Sequence, residues 1–151
     1  MKILKIFALF LISLNCFAIE NRESSYFISL RSNEINLRNG PGSEYPIKAI
    51  YQINNMPLKV LGEYENWYKV QDKDGFEGWL NKNLTSKKRT LIVINGTQIM
   101  YKKDDLKSAP IFRLEENVVV KYHKCNENWC KIEKNNKTGW IEAKNVWGYQ
   151  L

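Results

Sequence analysis

The sequence is poor in the side chains on which most catalysis depends. Its 151 residues hold one histidine, three cysteines, four prolines and eight glycines. The single histidine, His123, sits in no Gly-x-Ser-x-Gly, His-Glu-x-x-His or Cys-His arrangement, so a hydrolytic centre cannot be assembled around it. Gly40-Pro41-Gly42 is too short for a phosphate-cradling loop, which needs further glycines and a following helix with Lys then Ser or Thr. Glycine here admits a positive φ and proline fixes φ near −65°, so the triplet reads as a sharp turn. Asp72, Asp74, Glu77, Asp104 and Asp105 fall in turns or at exposed edges, where solvent keeps them ionised and no acid-base pair is expected. The low proline and glycine content excludes collagen-like and low-complexity chains. Outside the N-terminus no apolar run approaches the roughly 20 residues that cross a bilayer as a helix. Charge of neither sign dominates, with 23 Lys and Arg against 16 Asp and Glu. The 44% hydrophobic and 13% aromatic content is that of a folded globular chain.

What is present begins with an address. Lys2 and Lys5 precede the apolar stretch Ile6 to Leu14, and Cys16-Phe17-Ala18 places small residues at the usual positions before a cleavage site. Residues 1–18 are read as a secretory signal peptide cut after Ala18, giving a periplasmic or secreted protein with no remaining membrane span. Lipidation of Cys16 is the alternative, but Ser13 and Asn15 depart from the pattern it needs. Removing residues 1–18 takes the formal charge from +7 to +5. The remaining cations are scattered, densest at Lys87-Lys88-Arg89, which reads as a solvated connector. No concentrated basic stripe exists, so a nucleic-acid partner is not expected. Two cysteines stay in the mature chain, Cys125 and Cys130, in a compartment that permits oxidation. They flank Asn126 to Trp129, a turn that opposes them on antiparallel strands, and a disulfide is expected. Zinc would recruit His123 with both thiols but lacks a fourth ligand. Neither a metal nor a cofactor is expected.

The chain also repeats itself. Tyr45-Pro46-Ile47, Leu58-Lys59-Val60, Asn66-Trp67-Tyr68-Lys69-Val70 and Gly78-Trp79-Leu80 are echoed by Ala109-Pro110-Ile111, Val118-Val119-Val120, Asn128-Trp129-Cys130-Lys131-Ile132 and Gly139-Trp140-Ile141. The spacings between matched residues, 64 for the prolines, then 62 and 61 for the tryptophans, differ only by small loop deletions. Within each copy, short β-branched and aromatic runs are bounded by Gly, Asn and Asp, the pattern of strands. A meander is predicted over Leu58 to Glu63, Trp67 to Gln71 and Phe76 to Asn81, and again over Asn117 to Lys124, Trp129 to Glu133 and Thr138 to Glu142. Asn95-Gly96 between Leu91–Ile94 and Thr97–Tyr101 predicts a type I′ hairpin. Tyr26 to Leu30 with Ile35 to Leu37 plays the same part before the first copy.

Five short strands in about 60 residues can curl into a small, partly open barrel. The run Asn36-Leu37-Arg38-Asn39-Gly40-Pro41-Gly42-Ser43-Glu44-Tyr45-Pro46, followed by Trp67-Tyr68-Lys69-Val70 and Gly78-Trp79-Leu80, resembles the bacterial SH3-like (SH3b) domain. The second copy is similar to a divergent member, with Leu106 to Pro110 in place of the Gly-Pro-Gly turn. The resemblance implies an all-β chain of two tandem small SH3-like barrels, over residues 25–85 and 91–149, as in tandem SH3-domain proteins of the bacterial envelope.

Strand alternation sets Trp67 apart from Tyr68 and Val70, and Trp79 apart from Gly78 and Leu80. With Tyr45 these rings can form an aromatic groove for an extended peptide, and Trp129 and Trp140 repeat the arrangement. The same rings can equally serve to cover the open ends of the barrels. The position of Cys130 matches Tyr68, so the disulfide stands where the first copy has an aromatic. The resulting expectation is an exported, non-catalytic binding module that recognises an extended peptide, a peptidoglycan stem peptide or an envelope protein. The alternative is a periplasmic scaffold with no open groove.

Overall fold

Alternating burial along short strands organises the whole chain. The computed structural model describes residues 25–151, and the signal peptide expected over 1–18, with Cys16, lies outside them. Strands β1 (Tyr26–Leu30), β2 (Ile35–Arg38), β3 (Ile47–Tyr51), β4 (Pro57–Tyr64), β5 (Trp67–Gln71), β6 (Glu77–Asn81) and β7 (Thr85–Ser86) form one sheet in the order β3-β2-β6-β5-β4-β1-β7. A 3-10 turn at Lys82–Leu84, capped by the Asn81 side chain on the amide of Asn83, delivers β7 to the edge of β1. The second sheet contains β8 (Thr90–Val93), β9 (Gln98–Tyr101), β10 (Pro110–Leu114), β11 (Val119–Cys125), β12 (Trp129–Lys134), β13 (Lys137–Glu142) and β14 (Val146–Trp147). Its order, β10-β9-β13-β12-β11-β8-β14, is that of the first sheet with every strand advanced by seven, so the repeat read in the sequence is a repeat of topology.

Each sheet closes over its own core. Leu30, Leu37, Leu58, Val70 and Leu80 are fully buried in the first, and Met100, Cys130, Ile132 and Ile141 in the second. The meanders pair as expected, β4 with β5 and β5 with β6, then β11 with β12 and β12 with β13. Cys125 and Cys130 face each other across β11 and β12 and are joined by a disulfide, with their Cα atoms 4.0 Å apart.

Several expectations are corrected. Each sheet has seven strands rather than five. The predicted hairpins do not form. β1 is flanked by β4 and β7, and β8 by β11 and β14, so neither has a free edge for the strand that follows it. Asn95 and Gly96 do take left-handed φ values of 63° and 77°, as the Asn-Gly pair requires. The chain nevertheless crosses to the other side of the barrel, because the amide and carbonyl of Val93 are held by Val118 and Asn117 and the amide of Ile94 by Asn145. Phe76 stays outside β6 and is 40% exposed, with the Lys48 ammonium 4.5 Å from its ring centroid. Asp72 is buried rather than solvated: its carboxylate accepts from the amides of Asp74 and Phe76 and from the Tyr51 hydroxyl.

The two sheets are docked. Along β8 the period of two sends Leu91 and Val93 into the second core and Ile92 into the first. Trp147 and Val119 pack on the first cluster beside Ile92, and the Trp147 ring meets Phe27 edge-on at 4.9 Å. The Thr90 hydroxyl donates to the carbonyl of Asn55 at 2.8 Å. Gly148, at φ 123°, lies so near the first domain that a Cβ there would stand 2.8 Å from Pro57.

Candidate functional site

The aromatic face expected from the sequence is built by three adjacent strands. With Leu37, Val70 and Leu80 buried, alternation turns Arg38, Lys69 and Trp79 outward, and the register places Trp79 opposite both Arg38 on β2 and Lys69 on β5. Trp67 lies opposite Asn81, one diagonal step from Trp79, so both tryptophans occupy one face of the sheet. The Gly-Trp pairs have a mechanical cause. A Cβ at Gly78 would come within 2.5 Å of Leu37, and one at Gly139 within 2.6 Å of the Tyr101 carbonyl oxygen. Only glycine lets β6 and β13 cross this close to β2 and β9, and the residue after it points out.

The loop after β2 is closed by the amide of Asn39 donating to the Pro46 carbonyl at 3.1 Å, and by Arg38 Nη1 donating to the Tyr45 carbonyl at 2.7 Å. Gly40 and Gly42 do not take positive φ, which corrects the reason expected for them. Room is the reason at Gly40, where a Cβ would fall 2.3 Å from the Tyr45 ring, whereas at Gly42 the nearest atoms are the movable end of the Glu44 side chain. Between this loop and the Glu65-Asn66 turn runs a groove lined by Arg38, Trp67, Asn81 and Leu84, with Glu34, Glu44 and Glu65 around it. Among the described residues none of these three carboxylates makes an ion pair. The groove thus brings together one indole, one guanidinium and three carboxylates, a lining of net negative charge.

Of the residues expected to bind, Trp67 lines this groove. Tyr45, 41% exposed, lies against Gly40, and Trp79 stands diagonal to Trp67 outside the lining. Arg38 and the three glutamates were missed by sequence reasoning. The alternation of Ile35 and Leu37 already turned Arg38 outward beside the Gly-Pro-Gly loop, and that signal could have found it.

The second domain repeats the scaffold with different chemistry. Trp140 pairs with Lys131 and with Tyr101, which occupies the place of Arg38, and the Tyr101 ring packs edge-on to Trp129 at 5.9 Å. Lys124 and Lys131 hold their ammonium groups 5.7 and 5.9 Å from the Trp140 ring centroid. The Lys102 amide donates to the Ala109 carbonyl at 2.9 Å, closing the loop as Asn39 and Pro46 do in the first domain. In place of glycines, this loop is held by Asp105 and Ser108, which accept from the amides of Lys107 and Lys103.

Beneath the first domain's other face, the Tyr26 hydroxyl donates to Glu63 at 2.5 Å, and Lys82 donates to the same carboxylate. Burial and then the bond to Glu63 push the Tyr26 hydroxyl above the ordinary tyrosine range. The hydrogen bond from Lys82, then that from Tyr26, holds the Glu63 carboxyl below its usual value. Lys82 also lies 4.9 Å above the Tyr68 ring. All four groups hold one another, which makes the cluster a brace between β1, β4 and the 3-10 turn. His123 is engaged with Glu133 at 3.2 Å. No group of three or more His, Cys, Asp and Glu side chains converges among the described residues, and no helix there is long and apolar enough to cross a membrane.

A family match agrees with the two-fold repeat. The family described as Bacterial SH3 domain matches the chain twice, over residues 31–87 and 95–148. No curated protein matches the sequence. Solved structures that resemble it include NlpC2 from Trichomonas vaginalis, at 13% identity and a TM-score of 0.38, covering 83% of this chain and 48% of that one. An NlpC/P60 family protein from Bacillus cereus, at 11% identity and a TM-score of 0.37, covers 82% of this chain and 56% of that one. NlpC1 from Trichomonas vaginalis, at 12% identity and a TM-score of 0.38, covers 93% and 51%. The chain thus spans about half the length of the solved proteins it matches.

Proposed function

The chain belongs to the bacterial SH3 domain family, which matches both of its halves, and from that premise we propose that it is an exported, non-catalytic binding protein. Its leader, residues 1–18, directs it to the periplasm or the exterior. Its first domain, over residues 25–85, holds an extended peptide in the groove beside Trp67. Cell-wall stem peptides and segments of envelope proteins are the ligand classes, and free amino groups on either suit the carboxylates of Glu34, Glu44 and Glu65. The observation that carries this reading is the groove itself, an indole between a glycine-braced loop and a turn, together with carboxylates that have no cation of their own.

The test is cosedimentation of the mature chain with purified peptidoglycan, and pull-down from envelope extracts. Trp67→Ala with Trp79→Ala is expected to abolish capture while the far-ultraviolet spectrum stays unchanged. If neither partner class is captured by the unaltered chain, the reading fails. A scaffolding role is the second reading, supported by the burial of Ile92 in the neighbouring core and by the Tyr101 ring packed on Trp129. Acrylamide quenching separates the two: an accessible Trp67 favours the binding groove, and complete protection of every tryptophan favours the scaffold.

A further inference from the structure

A concavity lies where the two domains dock. It measures about 650 Å³ and is lined from the first domain by Asn55, from the connector by Lys88 and Arg89, and from β11 chiefly by Val119, Lys121 and Tyr122. Its surface is mostly apolar and its lining includes Lys88, Arg89 and Lys121, the composition of a ligand site, and junctions between domains are where such sites gather. The connector read as merely solvated in the sequence thus forms one wall. The Arg89 guanidinium is stacked 4.5 Å from the Tyr122 ring centroid, and its carbonyl accepts from the Tyr122 amide at 3.1 Å, so the charge is held in place. Lys88 reaches the Asn55 side chain at 3.3 Å. Lys121 and His123 share the Glu133 carboxylate, at 3.3 and 3.2 Å. Lys88 and Arg89 make no ion pair among the described residues. The field around them has the same sign: residues 88–151 carry twelve Lys and Arg against seven Asp and Glu, whereas residues 25–87 carry eight against seven.

We propose that this junction groove, lined by Asn55, Lys88, Arg89, Val119, Lys121 and Tyr122, binds an acidic peptide segment of a partner protein. An aliphatic side chain of the segment lies against Val119, and flanking carboxylates meet Lys88 and Arg89. The planar guanidinium can take a carboxylate in a two-point bond. The concavity is not an enclosed tunnel of the kind an acyl tail needs, which favours a peptide segment as its occupant. The site is separate from the Trp67 groove, and its occupant has the opposite charge.

The experiment is a nitrogen-labelled titration of the mature chain with a short peptide of alternating Glu and Leu, beside its Gln-for-Glu counterpart and phosphatidylglycerol vesicles. Saturable shifts are expected at the amides of Thr90, Lys121 and Tyr122. Lys88→Gln with Arg89→Gln weakens binding by about tenfold, the effect of two such charges. Lys102→Gln with Lys103→Gln, which removes the same charge elsewhere, leaves it unchanged. Lys88→Gln alone, which leaves the Arg89 stack intact, weakens binding by about threefold and guards against a folding defect in the double variant. Equal binding of the Gln peptide, shifts centred on Trp67, indifference to the connector substitutions, or binding to vesicles but not to the peptide would each overturn the proposal.

Discussion

Replacing Ile92 by alanine tests whether the two barrels fold as one body. Ile92 belongs by chain order to the second domain, yet its side chain is fully buried in the first domain's cluster, while its neighbours Leu91 and Val93 fill the second. The substitution removes three buried carbon groups at about 0.8 kcal/mol each. A cavity term adds to this, so a loss of about 3 kcal/mol is expected, within the roughly 2–5 kcal/mol range for such truncations. For a cooperative unit of this size each kcal/mol moves the melting temperature by about 4 °C, giving a fall of about 12 °C. Urea unfolding followed by tryptophan fluorescence gives the size of the loss, and amide exchange gives its location. Because the hole opens in the first core, faster exchange is expected at Leu58 and Val70, far along the chain from the substitution. Leu91→Ala, one residue away, should instead loosen Ile132 and Ile141. A loss under about 1 kcal/mol for Ile92→Ala, or exchange altered only in the second domain, would show that the barrels do not share this strand in solution.

Further outcomes follow from other contacts. Reducing the Cys125–Cys130 disulfide should lower the stability of the chain by about 2 kcal/mol, as expected for so short a closed loop, read from the midpoint of urea unfolding with and without reductant. Gly139→Ala places a Cβ 2.6 Å from the Tyr101 carbonyl oxygen and should cost about 1–3 kcal/mol by calorimetry, whereas Gly62→Ala, with open space beside it, should not. Tyr51→Phe removes the 3.0 Å bond to Asp72 and should cost about 1 kcal/mol, measured by the midpoint of urea unfolding. Glu63, held below its ordinary value by Lys82 and then Tyr26, contributes stability that is complete above the unfolded carboxyl range of about pH 4.3 and is lost as pH falls through the lower folded value. Glu63→Gln should flatten that acid limb of the stability curve, and an unchanged limb would refute the assignment.

What could be read from the sequence divides along the range of the interactions involved. The meanders were legible because each turn and its two strands are neighbours in the chain, and Trp67 to Gln71 emerged with the limits alternation gives it. The disulfide was legible for the same reason, since only the turn from Asn126 to Trp129 separates its halves. The pairing of β8 was not, although Asn95 and Gly96 adopt the dihedrals their types require. A favourable turn contributes local free energy once, whereas burial of Leu91, Ile92 and Val93 on two faces requires partners from β11 and β14, and the larger apolar term decides the outcome. Asp72 shows the converse error: a carboxylate in a turn looks solvated until the two amides and one hydroxyl that surround it are known. The candidate groove was half legible, because alternation placed Trp67 outside the core. Which ring faces a cleft depends on how the loop at Gly40 folds back under Tyr45, and that contact joins side chain to backbone across a turn whose first glycine supplies space rather than an unusual dihedral. A change at Gly40 should therefore act through the loop. Gly40→Ala is expected to displace Tyr45 and open the wall facing Trp67, weakening peptidoglycan capture while the core residues Leu37 and Leu80 keep their amide protection. Equal loss of protection in the core would mean that the loop is part of the barrel's frame and not a separable wall of the groove.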